Sequence, residues 1–472
     1  MKKISRMWQT IALAVCVCSV LTLNAQAGYL YVLNTQSGAQ SRIYGFAADA
    51  ETGALTALPG FPYTTGNIGT GALNSEMMAV DSERLRLYVL NDGPDTLSVY
   101  SIDPSTGAIA ELPYSPLPLP SATWCTVAVH PSGSPVIVGG TSGTGIANSF
   151  FFANDWAFPV AGSPFAIGSA NPYSSTFSPD GGYYYAGGFS LSTTFAGLSV
   201  DAATGSLSLL PGSPYNSGGA RPTGFSMDNQ GRLYSADQSG RLRIFTTTDG
   251  VPSPVAGSPF PSLAGSIDTV LHPDGEFLFV TGRTVNQLQA FRISGSGDAT
   301  VPQATSTVAT GGLYPSVVTI ARSGRLLFVG NTLGRNVGTV GFDPGTGQLT
   351  LLGSLPASTI GTSGAVVGMA LFEAVAPPPP PSQTPAERVQ AMVDTISSYD
   401  PPLQRGIARA LIAKLESVLV AIETDDLDDA RSELRAFMDH LNAQSGKHVP
   451  ADAAAELLAA AESLLAALEP AE

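Results

Sequence analysis

Few side chains in this sequence have the type and spacing to do chemistry. His130 and His272 each stand in a His-Pro-x-Gly segment. There proline presets φ and glycine accepts positive φ, so both histidines read as turn residues rather than as bases. One cysteine, Cys125, lies beyond the first 27 residues, in the apolar run Trp124-Cys-Thr-Val-Ala-Val129. A lone thiol forms no intramolecular disulfide, and a small buried strand residue is the expected role. Glu423, Asp425, Asp426, Asp428 and Asp429 suggest calcium by type, but they lack the spacing and glycine of a calcium loop and read as the start of a solvated helix. Nucleophile elbow, phosphate loop, zinc cluster and dinucleotide fingerprint are all missing from the sequence. No cofactor and no metal are expected.

What the chain does offer is repetition. Leu271 to Ile293 reads as strand, Pro-Asp-Gly turn, strand, loop, strand. The turn glycine recurs as Gly133, Gly181, Gly231, Gly275 and Gly324, at a period near 48, each time followed by a strand-like run such as Phe277-Leu-Phe-Val280 or Leu326-Leu-Phe-Val329. Tyr29 to Leu33 and Leu87 to Leu90 are two further copies of that strand, for a total of seven. A second marker, D-x-x-T-G, begins at Asp49, Asp103, Asp201 and Asp343. It predicts a hairpin loop in which Asp bonds its own turn and Gly is left-handed. A third, Gly-Ser-Pro followed by an aromatic residue, closes several units, and its proline fits an outer edge strand that needs no ladder donor. Seven four-stranded units at this period describe an all-β, seven-bladed β-propeller; a sandwich does not explain seven like units. The first unit starts at its second strand, so Ala365 to Phe372 is expected to supply the missing one and close the ring.

Residues 1–27 read as a secretory signal: Lys2, Lys3 and Arg6, then an apolar stretch from Ile11 to Leu23, then Ala25-Gln-Ala27. The apolar run is short for a membrane anchor. The product is expected to be extracytoplasmic, periplasmic or secreted, and no integral membrane protein once cleaved. The propeller is placed at 28–374, a proline-rich linker at 375–384, and a small all-α bundle at 385–472, where glycine almost vanishes and apolar residues recur every three or four positions. The net charge of −15 and the want of a basic patch argue against nucleic acid. Charged residues are only 12% of the chain, which leaves a surface of Gly, Ser, Thr, Asn and Pro suited to a protein or carbohydrate partner at one propeller face.

At these motifs the chain, from about Gly28 to Glu373, resembles the seven-bladed β-propeller lactonase family and the related bacterial surface propellers with Tyr-Val-Thr-Asn-type repeats. Ile43-Tyr-Gly-Phe with Asp49 and Thr52-Gly53 is similar to that family's opening blade; His272 to Val280 with Arg283 is similar to its sixth. The resemblance implies a cluster of histidine, arginine and carboxylate at one mouth of the channel. The match is partial. Asn171-Pro172-Tyr173 stands where the family tends to have His-x-His. Gly219-Ala220-Arg221-Pro222 stands where it tends to have Gly-Pro-Arg-His, and Gln238 replaces a glutamate. By this resemblance Arg221 and Arg283 would hold an anion and Asp268 would be the base, since opening a lactone needs a base for water and donors for the oxyanion. No histidine is left to share the work. The tail, from Leu415 to Ile422, Leu434 to Met438, Gln444 to His448 and Ala454 to Leu468, resembles the FIMAH domain, which implies an interaction role and no catalytic residue.

Three functions follow as expectations. The first is an exported binding module, the second a secreted lactonase with a divergent site, the third a structural repeat protein of the envelope. The export signal argues against a sugar-phosphate lactone as substrate.

Overall fold

The computed structural model describes residues 26–69, 76–91, 93–153, 156–168, 172–188, 193–219, 221–374, 384–398, 403–424 and 426–468. The expected signal sequence, apart from its last two residues, and residues 375–383 of the expected linker fall outside them. The chain divides into two compact units, Met1–Ala374 and Val375–Glu472.

The first unit is a seven-bladed β-propeller. Its inner strands, from blade 1 to blade 7, are Ala365–Phe372, Met78–Asp81, Thr123–Val129, Pro172–Phe177, Pro222–Met227, Ser266–Leu271 and Pro315–Ile320. Each packs against the next, and the last returns to the first, so the seven line a closed ring. Closure is made as the sequence predicts: Ala365–Phe372 pairs antiparallel with Gln26–Gln36, aligning Tyr29 with Phe372 and Val32 with Met369. The second strands are buried from end to end, as in Phe277–Gly282 and Leu326–Asn331. That burial explains why they read as unbroken apolar runs rather than as alternating ones. Aromatic side chains fill the spaces between blades, with Phe342 edge-on to Phe277 and Phe279 at 4.8 and 4.7 Å. Cys125 is buried in the inner strand of blade 3.

The repeated turn residues have definite work. In each D-x-x-T-G loop the aspartate accepts from amides two or three residues on; Asp49 Oδ1 takes Thr52 N at 2.8 Å and the Thr52 hydroxyl at 2.7 Å. These bonds hold the carboxyls of Asp49, Asp103, Asp201 and Asp343 below the usual range. The left-handed glycine that follows turns its carbonyl toward the preceding blade. Gly107 O accepts from Tyr31 Oη at 2.8 Å, Gly205 O from Ser149 Oγ at 2.8 Å, Gly347 O from Thr305 Oγ1 at 2.8 Å, and Gly53 O from Thr339 Oγ1 at 3.1 Å. The last of these bonds joins blade 1 to blade 7.

The Gly-Ser-Pro marker behaves differently from expectation. Its proline does not lie in the edge strand. Pro164, Pro214 and Pro259 follow cis bonds in a turn that splits the outer position into two short segments, such as Leu207–Leu209 and Tyr215–Asn216, both paired with the third strand. The split leaves a third-strand amide facing the gap, and the serine fills it. Ser149 N, Gly197 N and Ile244 N donate to Ser163, Ser213 and Ser258 Oγ at 2.7, 3.1 and 3.2 Å. A buried strand amide needs such an acceptor.

The second unit holds four helices, α1 Pro385–Ser398, α2 Arg405–Glu423, α3 Leu427–Gln444 and α4 Ala451–Ala467. Val389, Leu411, Leu415, Val418, Leu434, Phe437, Leu441 and Leu464 form its core. Thr384 and Glu387 make a reciprocal capping box at α1. Asp426 caps α3 by accepting from Asp429 N, with Asp428 and Asp429 in the first turn, so these acids of the run open a helix. Among the described residues no helix is long and apolar enough to cross a membrane.

Candidate functional site

Antiparallel strands send alternate loops to opposite faces of the ring. The turns after first and third strands share one face; the loops after second and outer strands share the other. The two faces differ in chemistry.

On the turn face His130, His272 and Asp228 are engaged by neighbouring groups of the fold. His130 bonds Ser132 through Nδ1 at 2.8 Å and Gly181 O through Nε2 at 3.1 Å, joining blade 3 to blade 4, and burial lowers its pKa. His272 Nδ1 meets Asp274 at 2.7 Å while its ring packs on Phe277, Phe279 and Phe342. Asp228 is consumed by Arg232 Nε at 2.6 Å and Tyr234 Oη at 2.9 Å. Clefts of about 250 and 480 Å³ open here between blades 5 and 6 and between blades 4 and 5, lined by these turns.

The other face collects arginines from blades 5 to 7. Arg221 leads into the inner strand of blade 5 and donates to Gln238 Oε1 at 2.8 Å. Behind it the buried pair Arg243 and Asp237 meets at 2.8 Å, and Gly219 leaves no room for a side chain beside that guanidinium. Arg283, 4% exposed, follows the second strand of blade 6, its amide bonded to Gly265 O. Its guanidinium lies over the Tyr314 ring at 4.5 Å and donates to Tyr173 Oη at 2.9 Å and Ser316 Oγ at 3.2 Å. Tyr173 comes from blade 4 and Tyr314 and Ser316 from blade 7, so one arginine of blade 6 ties together three blades at the mouth of the channel.

Backbone geometry marks the same place. The inner strands of blades 3 to 7 each carry a register shift at the mouth, for example between Pro172 and Ser174 and between Pro315 and Val317. Such bulges re-aim side chains. The residue leading into the inner strand is left-handed in blades 1 and 6, where it is Gly364 and Gly265. In blades 5 and 7 the same role falls to Arg221 at φ 60° and Tyr314 at φ 64°, each directly before proline. A left-handed non-glycine residue costs about 1–3 kcal/mol and tends to persist where its side chain is needed.

Just inside the mouth two carboxyls face the channel. Asp268 Oδ2 accepts from Val318 N of blade 7 and Oδ1 from Thr269 N, both at 2.8 Å. Glu76, ahead of blade 2, reaches Ser175 N of blade 4 at 2.9 Å and the Thr126 hydroxyl of blade 3 at 3.0 Å. Burial raises both pKa values; Glu76 stands at about 7, and its charge pushes Asp268 further up. Glu76 as a whole residue is half-buried, its carboxyl wrapped by these donors, whereas Asp268 is buried.

Of the three residues singled out by resemblance, Arg221, Asp268 and Arg283 all lie at one end of the ring, in blades 5 and 6. Each is engaged there: Arg221 with Gln238, Asp268 with two backbone amides, Arg283 with Tyr173, Ser316 and Tyr314. Asn171 and Ala220 lie outside the described residues. Sequence reasoning passed over Glu76, Tyr314 and the part played by Tyr173. A signal for Glu76 existed, a single acid ahead of the apolar Met77-Met78-Ala79-Val80, where neighbouring blades lead in with neutral residues.

Comparison with known proteins gives the same fold. The model of the family described as lactonase, seven-bladed β-propeller, matches residues 227–362, and that of the FIMAH domain matches residues 403–466. Both resemblances expected from the sequence are thus found. A Bacteroides fragilis protein proposed to be a 6-phosphogluconolactonase is 17% identical, with 75% of this chain and 99% of that one covered and a TM-score of 0.60. The periplasmic gluconolactonase PpgL of Pseudomonas aeruginosa is 17% identical, with 74% and 99% covered and a TM-score of 0.54. A Lactobacillus plantarum protein gives 17%, 74%, 100% and 0.56. At these identities the likeness is one of fold. Among curated proteins none matches the sequence.

Proposed function

We propose that this protein binds a lactone, or the hydroxy acid it opens to, at the ring mouth of blades 4 to 7, and hydrolyses the lactone in an extracytoplasmic compartment. The observation that carries the reading is the clasp of Arg283 between Tyr173 and Tyr314, beside Arg221 on its strained lead-in. Guanidinium donors fixed in this way suit a carbonyl oxygen that gains negative charge, or the carboxylate of the product. The lactonase family match and the lactonase neighbours support the reaction class. An aldonolactone without phosphate fits the export signal better than a sugar phosphate does.

A second reading keeps the mouth and drops the turnover. Loss of the family's histidines, with Tyr173 in their place, favours an exported binding module whose helical unit engages a protein or carbohydrate partner.

The two readings separate in one assay. The purified chain is offered glucono-δ-lactone beside an Arg221→Ala/Arg283→Ala variant. Hydrolysis that falls at least about 100-fold in the variant supports the first reading, on the scale of lost oxyanion donors. Gluconate binding without any hydrolysis above buffer leaves the second.

A further inference from the structure

We propose that Glu76 is the general base of lactone opening, standing in for the histidines that this chain lacks. The inference rests on the lactone reading above and names the group that activates water.

On the inner strand of blade 4, Tyr173 meets the Arg283 guanidinium. Two residues further along, past the register shift between Pro172 and Ser174, Ser175 N donates to Glu76 Oε2 at 2.9 Å. One short stretch of blade 4 therefore holds both the arginine clasp and the carboxylate. The carboxylate comes from the lead-in to the inner strand of blade 2 and reaches the next two blades, through Thr126 and Ser175.

Asp268 is the worse base. Its Oδ1 is committed to the Thr269 amide of its own strand and its Oδ2 to the Val318 amide of blade 7, and it is 5% exposed. Glu76 spends Oε2 on two donors, with the Ser174 hydroxyl as a third neighbour, and among the described residues no backbone amide besides Ser175 N is shown to hold it. Burial raises its titration against the hydroxyls of Ser174 and Thr126 and the amide of Ser175, and its charge in turn raises Asp268 and the Tyr184 phenol. Burial and the charge of Glu76 both push Asp268 up, which disfavours two charges at once. Burial brings Glu76 to about 7, where a carboxylate is at once available and basic enough to take a proton from water.

The chemistry balances without a cofactor. Glu76 takes one proton from water as the water oxygen bonds the lactone carbonyl carbon. The carbonyl oxygen becomes an oxyanion facing the Arg283 and Arg221 donors. As the carbon–ring-oxygen bond breaks, the departing alkoxide takes the proton from Glu76, and the new carboxylic acid loses its own proton to solvent.

The test compares wild type with Glu76→Gln and Glu76→Asp on glucono-δ-lactone, with kcat and KM across pH 5 to 9 and gluconate affinity by calorimetry. Expected for Glu76→Gln is a kcat lower by at least about 100-fold, with gluconate affinity within about twofold. Wild-type kcat should fall on the acid side of pH about 7, and that limb should vanish in whatever activity Glu76→Gln retains. Glu76→Asp should regain part of the rate. Unchanged gluconate binding shows that the glutamine variant is folded. Hydrolysis by Glu76→Gln at the wild-type rate with the same pH profile overturns the assignment and leaves the lactone reading standing. A wild type without hydrolysis overturns both.

Discussion

The two faces of the ring use polar residues in opposite ways. On the turn face the residues that recur from blade to blade satisfy one another. Asp of D-x-x-T-G closes its own loop, the next glycine carbonyl latches onto the blade before, and His130 spans to Gly181. On the mouth face the residues that matter occur once. Arg283, Tyr173, Tyr314, Arg221 and Glu76 have no equivalents in the other blades, and two of them occupy left-handed backbone positions that glycine holds elsewhere. Repetition in this protein builds the ring, and departure from repetition builds the site.

That contrast can be broken experimentally. The largest effects expected are on turnover: the Arg221→Ala/Arg283→Ala and Glu76→Gln variants should each lose at least about 100-fold in kcat or kcat/KM. On the opposite face, Gly181→Ala should do the reverse. Gly181 has φ 76°, and a methyl group there would lie 2.0 Å from His130 Nε2. The expected loss is about 1–3 kcal/mol of stability by denaturant titration, with KM unchanged. A third variant sharpens the link between strain and function. Tyr314→Gly relieves the left-handed backbone but removes the ring beneath Arg283, so gluconate affinity should drop about 3–30-fold while the unfolding midpoint holds or rises. An affinity left intact would make Tyr314 a structural residue only.

The smallest effect is on stability against pH. The folded pKa of Glu76, about 7, lies above its ordinary 4.5. Its contribution to stability is therefore full below 4.5 and is lost as pH rises through about 7, and Asp268, also raised, adds with the same sign. Glu76→Gln should match wild type near pH 4.5 and exceed it near pH 8 by about 1–3 kcal/mol in chemical unfolding. A variant less stable than wild type at pH 8 would mean that the carboxylate is a net structural asset.

The same contrast explains what was legible in the sequence. The propeller, its closure by Ala365–Phe372 and the hairpin chemistry of Asp49, Asp103, Asp201 and Asp343 could be read because each signal comes in several copies at a fixed period. The split outer strand was misread, since proline is compatible with an edge strand and with the turn between two edge segments; the serine before it was the better clue. The mouth was legible only where family resemblance pointed, at Arg221, Arg283 and Asp268. Glu76 and Asp268 are nearly 200 positions apart, and only the closed ring brings their carboxyls to face one channel. Tyr173 looked like the loss of a histidine; in the structure it is a partner of Arg283.

The most direct test of the division between faces is a paired measurement of glucono-δ-lactone turnover and thermal unfolding on wild type, Arg221→Ala/Arg283→Ala and Gly181→Ala. The account expects the mouth variant to unfold within a few degrees of wild type and to have lost turnover, and the turn variant to unfold earlier and to keep wild-type KM. Turnover surviving in the mouth variant but failing in the turn variant, or a wild type that turns over no lactone, would contradict it.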